Sequence, residues 1–288
     1  MERELELEQG TVRVYEQGEG PALVFVHGLL VGHTLWELVV KRLADSHRCV
    51  SIDLPLGAHH TPMRPDADVS PRGLARMIAA VMEKLDLHDV ILVGNDTGGA
   101  LCQLVVAHHP ERLAGLVLTT CDAYEHFPPP ALKPMLGLGR APRVADLFLR
   151  LGRVGLVRDA LIAPVNKRRS AARIEAWAEP LASNAGVRRD VLRVLAAIDS
   201  KYTVAAAPAL KAFDRPALVV WSKGDLAFPL KDGKRLADDL SAPLEVLDDT
   251  RTFIPLDQPE RLSALITEFV DERVDAASPA RSNHGYES

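Results

Sequence analysis

Around position 96 the chain places small and acidic residues at spacings that chemistry can use. Gly94 stands two residues before Asp96, and Gly98 and Gly99 stand two and three after it. The residues ahead of them, Val90-Ile91-Leu92-Val93, are aliphatic and largely β-branched, as in a strand buried on both faces. Those behind, Ala100, Leu101, Leu104, Val105 and Ala107, follow helical spacing. A strand turning sharply into a helix crowds the backbone on both sides of the turn. Residues with little or no Cβ fit there, and the middle side chain is pushed out at the end of the sheet. Asp96 is the side chain such a turn presents. A carboxylate so placed can attack carbon or carry a proton. Aspartate is also a favoured helix N-cap, so both readings stand at this point.

The elements that must position Asp96 can be read on either side of it. Glu2 to Glu8 and Thr11 to Glu16 alternate polar and apolar, with Gln9-Gly10 between, which predicts an edge hairpin. Ala22 to Val26 is a fully apolar strand running into His27-Gly28-Leu29-Leu30. Thr34 to Ala44 has helical periodicity with Trp36 near its start, and Arg48 to Leu54 predicts the next strand. Ser70-Pro71 starts a helix through Leu85, with serine as N-cap and proline at the first helical position. Leu113 to Thr120 is a further buried strand, closing at Cys121-Asp122. Strands alternating with helices predict a mainly parallel sheet.

At Phe127-Pro128-Pro129-Pro130 the alternation stops. Roughly the next eighty residues are helical in pattern, too long for a plain loop, and strand character returns at Pro216 to Trp221. This insertion carries Arg140, Arg143, Arg150, Arg153, Arg158, Arg168, Arg169, Arg173, Arg188, Arg189 and Arg193, most of them expected on solvated helix faces. A surface helix from Leu230 to Leu240, a short strand at Leu244 to Leu247, a loop from Asp248 to Glu260 and a last amphipathic helix complete the order. Residues beyond about Val274 read as a disordered tail.

Composition narrows the function classes. A net charge of −5 and a pI near 6.1 give no general field for nucleic acid. The three cysteines, Cys49, Cys102 and Cys121, lie in or beside apolar runs without ligand spacing and read as buried thiols in a reducing setting. His59-His60 cannot both address one ion without further ligands, so a solvated loop is expected there. The acidic, alternating N-terminus does not resemble a signal peptide, and no run approaches the ~20 apolar residues of a membrane span. The expectation is a cytoplasmic protein, monomer or homodimer, with a small-molecule substrate, no nucleic-acid or membrane partner, no cofactor and no metal.

The His27-Gly28 loop, the glycine-flanked Asp96, the break at Phe127 and the Ser222-Lys223-Gly224-Asp225 turn together resemble the α/β-hydrolase superfamily. Within it they are most similar to the branch with an aspartate nucleophile, such as haloalkane dehalogenases and epoxide hydrolases. The resemblance covers nearly all of Glu2 to Val274. It implies an α/β-hydrolase fold: a mainly parallel eight-stranded sheet flanked by helices, with residues 1–122 and 215–274 as the core domain. An inserted helical cap, 123–214, would lie over the site, and 275–288 would be the tail. It also implies Asp96 as nucleophile, backbone N–H groups of Leu29 and Thr97 as oxyanion donors, His27 as a brace for the Gly28 loop, and Asp225 or Asp122 as the acid of a triad.

In the final loop the family's pattern puts Thr252 where a catalytic histidine belongs, and no histidine occurs between His126 and His284. An aspartate can still attack carbon without a base. Deprotonating the water that clears an ester intermediate normally draws on general-base help worth ~10²–10⁴-fold, which a threonine hydroxyl cannot supply at pH 7. Three readings follow. One is an enzyme acting on a small, mostly apolar molecule by chemistry that needs no activated water, such as isomerisation, cyclisation or a lyase step. The second is ordinary hydrolysis of an epoxide, halide or ester with a base from elsewhere, His126 being the candidate. The third is a non-catalytic ligand binder. Trp36 is a further substrate-binding candidate, with core packing the competing role, and the resemblance to epoxide hydrolases implies Tyr202, with Tyr124 at the cap entrance, as donors to an opening ring, with packing the competing role for Tyr202.

Overall fold

The computed structural model describes residues 1–130, 164–168 and 170–277. Eight strands form one sheet: β1 (Glu2–Leu7), β2 (Gly10–Gln17), β3 (Ala22–Val26), β4 (Arg48–Asp53), β5 (Val90–Asp96), β6 (Leu113–Cys121), β7 (Ala217–Ser222) and β8 (Leu244–Leu247). Their spatial order is β1-β2-β4-β3-β5-β6-β7-β8. The β1–β2 and β2–β4 pairs are antiparallel and the rest parallel. β5, β6 and β7 are buried at every position, because helices cover both faces of the parallel part.

One face carries α2 (Pro71–Lys84) and α3 (Thr97–His108), the other α1 (Glu37–Leu43), with a 3₁₀ turn at His33–Leu35 ahead of it. Ser70 caps α2 as its sequence predicts, its Oγ accepting the N–H of Gly73 at 3.2 Å. Between β6 and β7 the described chain is helical and holds no strand. It forms α4 (Ala171–Ser183), α5 (Ala185–Ala197) and α6 (Lys201–Lys211), and α6 packs Thr203, Ala206 and Leu210 inward beside α3. The order closes with α7 (Leu230–Asp239), one helical turn α8 (Ile254–Asp257) and α9 (Pro259–Ala277).

Several expectations need correcting. The stretch from Asp248 to Glu260 is not all loop, since Pro255 fits the first turn of α8. The final helix runs past Val274 to Ala277, and the rest of the expected tail lies outside the described residues. His59 is buried, not solvated, with Nε2 3.4 Å from Asp190 Oδ2, while Met63 N donates to the same oxygen at 2.7 Å. Nor are the described insertion arginines mainly on solvated faces. Arg188 is buried and donates to the carbonyls of Leu181 and Ala182, and Arg189 and Arg193 donate to the carbonyls of Met63 and Ala67. A guanidinium has five donors, and these arginines spend theirs on carbonyls of α4 and of the loop after β4. Arg140, Arg143, Arg150, Arg153, Arg158 and Arg169 lie outside the described residues.

Candidate active site

Asp96 ends β5 with φ 54° and ψ −134°, a left-handed conformation that a non-glycine residue adopts only when its surroundings impose it. Those surroundings are the small residues singled out above. A Cβ on Gly94 would lie 2.7 Å from Cys102 Sγ, and one on Gly98 would lie 2.3 Å from the Val26 carbonyl. The side chain makes no capping hydrogen bond of the N-cap kind to the first turn of α3, which argues against the helix-cap reading. Instead the backbone N–H groups of Leu29 and Thr97 face its carboxylate and favour the ionised form. A Cβ on Gly28 would fall 2.1 Å from Asp96 Oδ2, so the His27-Gly28 turn closes tightly over the carboxylate.

Burial pushes the Asp96 carboxyl up to about 7; the two N–H groups pull it down and the nearby Asp225 charge pushes it up further. At neutral pH both protonation states are populated. That is the condition under which a carboxyl both takes and returns protons efficiently.

Two more carboxyls stand at the neighbouring strand ends, with opposite surroundings. Asp225, after β7, receives Ala227 N at 2.8 Å and Phe228 N at 2.7 Å on Oδ1, and the Thr252 hydroxyl at 2.6 Å on Oδ2. Burial raises its pKa against those donors. Asp122, after β6, receives only the Thr97 hydroxyl, at 3.1 Å on Oδ2, and its buried Oδ1 has no partner among the described residues. Burial first, and then the Asp96 charge, hold Asp122 well above the usual carboxylate range.

Thr252 is anchored from beneath. Asn95, one residue before Asp96, donates to the Thr252 carbonyl at 2.7 Å and to Thr119 Oγ1 at 2.9 Å. Ser222 Oγ donates to the Thr250 carbonyl at 2.9 Å, and Thr120 Oγ1 accepts Ser222 N at 2.8 Å. Asp257 gathers the N–H groups of Arg251, Lys167 and Arg168 at 2.8 to 2.9 Å, tying the final loop to the insertion. Sequence reasoning missed Asn95 and Asp257 as anchors. Asn95 had a signal, being a polar residue inside an otherwise apolar strand.

His27 Nε2 accepts Leu54 N at 3.0 Å and Nδ1 lies 2.9 Å from the Gly28 carbonyl, an arrangement met by the neutral Nδ1–H tautomer. Burial drives its pKa down to about 4, so it braces the loop as an uncharged ring. His126 is not brought to Asp96: its Nδ1 lies 2.6 Å from Asp232 Oδ2 on α7, because the hinge after β6 runs along that helix. Trp36 is wholly buried against Phe25, with ring centroids 5.2 Å apart, and serves the core. Tyr124 turns its hydroxyl to Asp239 Oδ2 at 2.9 Å, and Tyr202 is half-buried beside Lys201. Trp177, unremarked in the sequence, packs edge-on against Phe253 with centroids 6.2 Å apart and bonds Thr34 Oγ1 at 2.7 Å.

Comparison with known proteins agrees with this architecture. The chain is 26% identical over 275 residues to haloalkane dehalogenase 2 of Mycobacterium tuberculosis, covering 90% of this chain and 91% of that one. It is 25% identical over 272 residues to 2-hydroxymuconate semialdehyde hydrolase of Pseudomonas sp. CF600, covering 92% of each. Among solved structures, haloalkane dehalogenase DbeA of Bradyrhizobium elkani superposes with a TM-score of 0.81 at 18% identity, over 96% of this chain and 99% of the other. Residues 21–259 match the alpha/beta hydrolase fold model, and the chain belongs to that family.

Proposed function

We propose that the chain is an α/β-hydrolase-fold enzyme for a small, mostly apolar molecule, with Asp96 as the reacting carboxyl. Its chemistry is proton transfer that needs no activated water: isomerisation, cyclisation or a lyase step. Residues 123–214 act as the cap over the site, with 1–122 and 215–274 as the core. The observation carrying this reading is the 2.6 Å bond from Thr252 Oγ1 to Asp225 Oδ2, an alcohol standing where the family resemblance calls for an imidazole. Among the described residues no histidine makes a hydrogen bond or ion pair with Asp96, and burial holds that carboxyl near neutrality.

In such a reaction ionised Asp96 takes a proton from the substrate. Leu29 N–H and Thr97 N–H hold the carboxylate in place, and a protonated Asp122 lies across the Thr97 hydroxyl as a reserve acid. The names of the relatives, a dehalogenase and a semialdehyde hydrolase, favour a second reading in which Asp96 attacks carbon. One experiment separates the two. The protein is incubated with haloalkanes, epoxides, activated esters and enolisable ketones, and the intact chain is then weighed. Turnover without a covalent adduct, lost in Asp96→Asn and kept in His126→Ala, supports proton transfer. A stoichiometric adduct on Asp96 replaces it with the displacement reading, and saturable binding with neither outcome leaves a binder.

A further inference from the structure

Asp96 lies at the N-terminal end of α3. At the other end, about 18 Å away at 1.5 Å per residue, α3 and α2 border an open surface cleft remote from the carboxyl site. Its first compartment, about 260 Å³, is lined by Arg72, Arg76, His108 and His109, with no carboxylate in the lining. A second, about 370 Å³, shares Arg76 and His109 and adds Ala79, Ala80, Glu83 and Glu111 among its walls.

This convergence of basic groups is not background in a chain of net charge −5. Arg72 and Arg76 are four apart on one face of α2, a like-charge spacing that costs helix stability. Arg76 is offset by Asp68 at 2.7 Å. Arg72 has no hydrogen bond or ion pair among the described residues, and the His108 and His109 rings meet only each other, edge to face at 6.5 Å. Partial burial, then Arg72 and then His109 hold the His108 pKa down. Unsatisfied donors and cations around a concave space are what an anion needs.

We propose that this cleft binds a phosphate monoester of a small hydroxylated molecule. The phosphate sits among Arg72, Arg76, His108 and His109, and hydroxyl groups of the remainder donate to Glu83 and Glu111 in the second compartment. The apolar Ala79 and Ala80 floor suits the carbon skeleton between them.

The test is calorimetric titration of the full chain with ribose 5-phosphate at constant ionic strength, with the His108 ring followed by NMR. Saturable binding is expected, with the His108 pKa moving upward on saturation. Arg72→Ala and His108→Ala should each weaken binding about tenfold or more, Arg72→Lys less, and Arg261→Ala, far from the cleft, not at all. Arg72 and His108 are exposed, so these variants keep the fold, checked by circular dichroism. No saturable binding, binding unchanged in Arg72→Ala and His108→Ala, or equal binding of ribose itself would overturn the proposal. Co-sedimentation with phosphatidate vesicles but no binding of ribose 5-phosphate would also overturn it, by assigning the phosphate to a lipid surface.

Discussion

Asp225 and Asp122 end adjacent strands, one beyond β7 and one beyond β6, yet the fold treats them in opposite ways. Three donors converge on Asp225, two of them backbone N–H groups. Asp122 has one hydroxyl and an oxygen left without a partner. Donors stabilise the ionised form and dry burial stabilises the neutral one. Burial raises both acids, Asp122 well above the usual carboxylate range and Asp225 against three opposing donors, and Asp96, at the end of β5, is itself held near 7. Unequal hydrogen bonding at two buried carboxyls is one way a site assigns acid and base at a single pH.

The largest expected effect comes from Asp96 itself. Asp96→Asn keeps the shape and removes the reacting carboxyl, and turnover should fall by about 10³-fold or more, measured as kcat on whichever panel compound is accepted. Next is Thr252→His, which restores an imidazole beside Asp225. If Asp96 forms an ester with an alkylating substrate, this variant should clear it ~10²–10⁴-fold faster, read by intact mass against time. An ester cleared equally fast by both proteins would mean that another group already supplies the base.

Charge then separates the two flanking acids. Asp225 raises the Asp96 pKa, so Asp225→Asn should move the pH–rate midpoint downward. Asp122→Asn replaces a neutral acid with a neutral amide. It should leave that midpoint where it is while lowering kcat. Equal shifts from both substitutions would erase the distinction between the two strand ends.

The smallest effect is on stability. The Asp96 pKa is raised on folding from 3.8 to about 7. Between those values the folded chain holds a proton that the unfolded chain has lost, so stability declines as pH rises through that window and levels off above it. Asp96→Asn removes the dependence. Its stability relative to the parent should improve by about 2 kcal/mol between pH 5.5 and 8.5, measured by urea denaturation.

Much of this frame was legible in the residues. The glycines around Asp96 announced a turn too tight for side chains, and Gly94 and Gly98 are indeed wedged against Cys102 and the Val26 carbonyl. Alternation in Glu2 to Glu16 and apolar runs elsewhere marked the strands, because periodicity follows directly from which faces are buried. What could not be read were contacts between distant segments. His59 looked like loop surface because nothing local reveals that Asp190, on α5, will cover it. His126 looked like a spare base because sequence does not show that Asp232 will claim its ring. Asp257, within an acidic residue, variable residue, proline pattern, gave no hint that three N–H groups from two segments would converge on it.

The protonation of Asp96 is the point on which the functional account turns, and it can be measured directly. With ¹³C-labelled aspartate carboxyls and the Asp96→Asn spectrum for assignment, the resonance of that one group is followed from pH 3 to 9. The account predicts a midpoint close to neutrality that falls in Asp225→Asn; a midpoint in the ordinary range near 4, unmoved by that substitution, would contradict it.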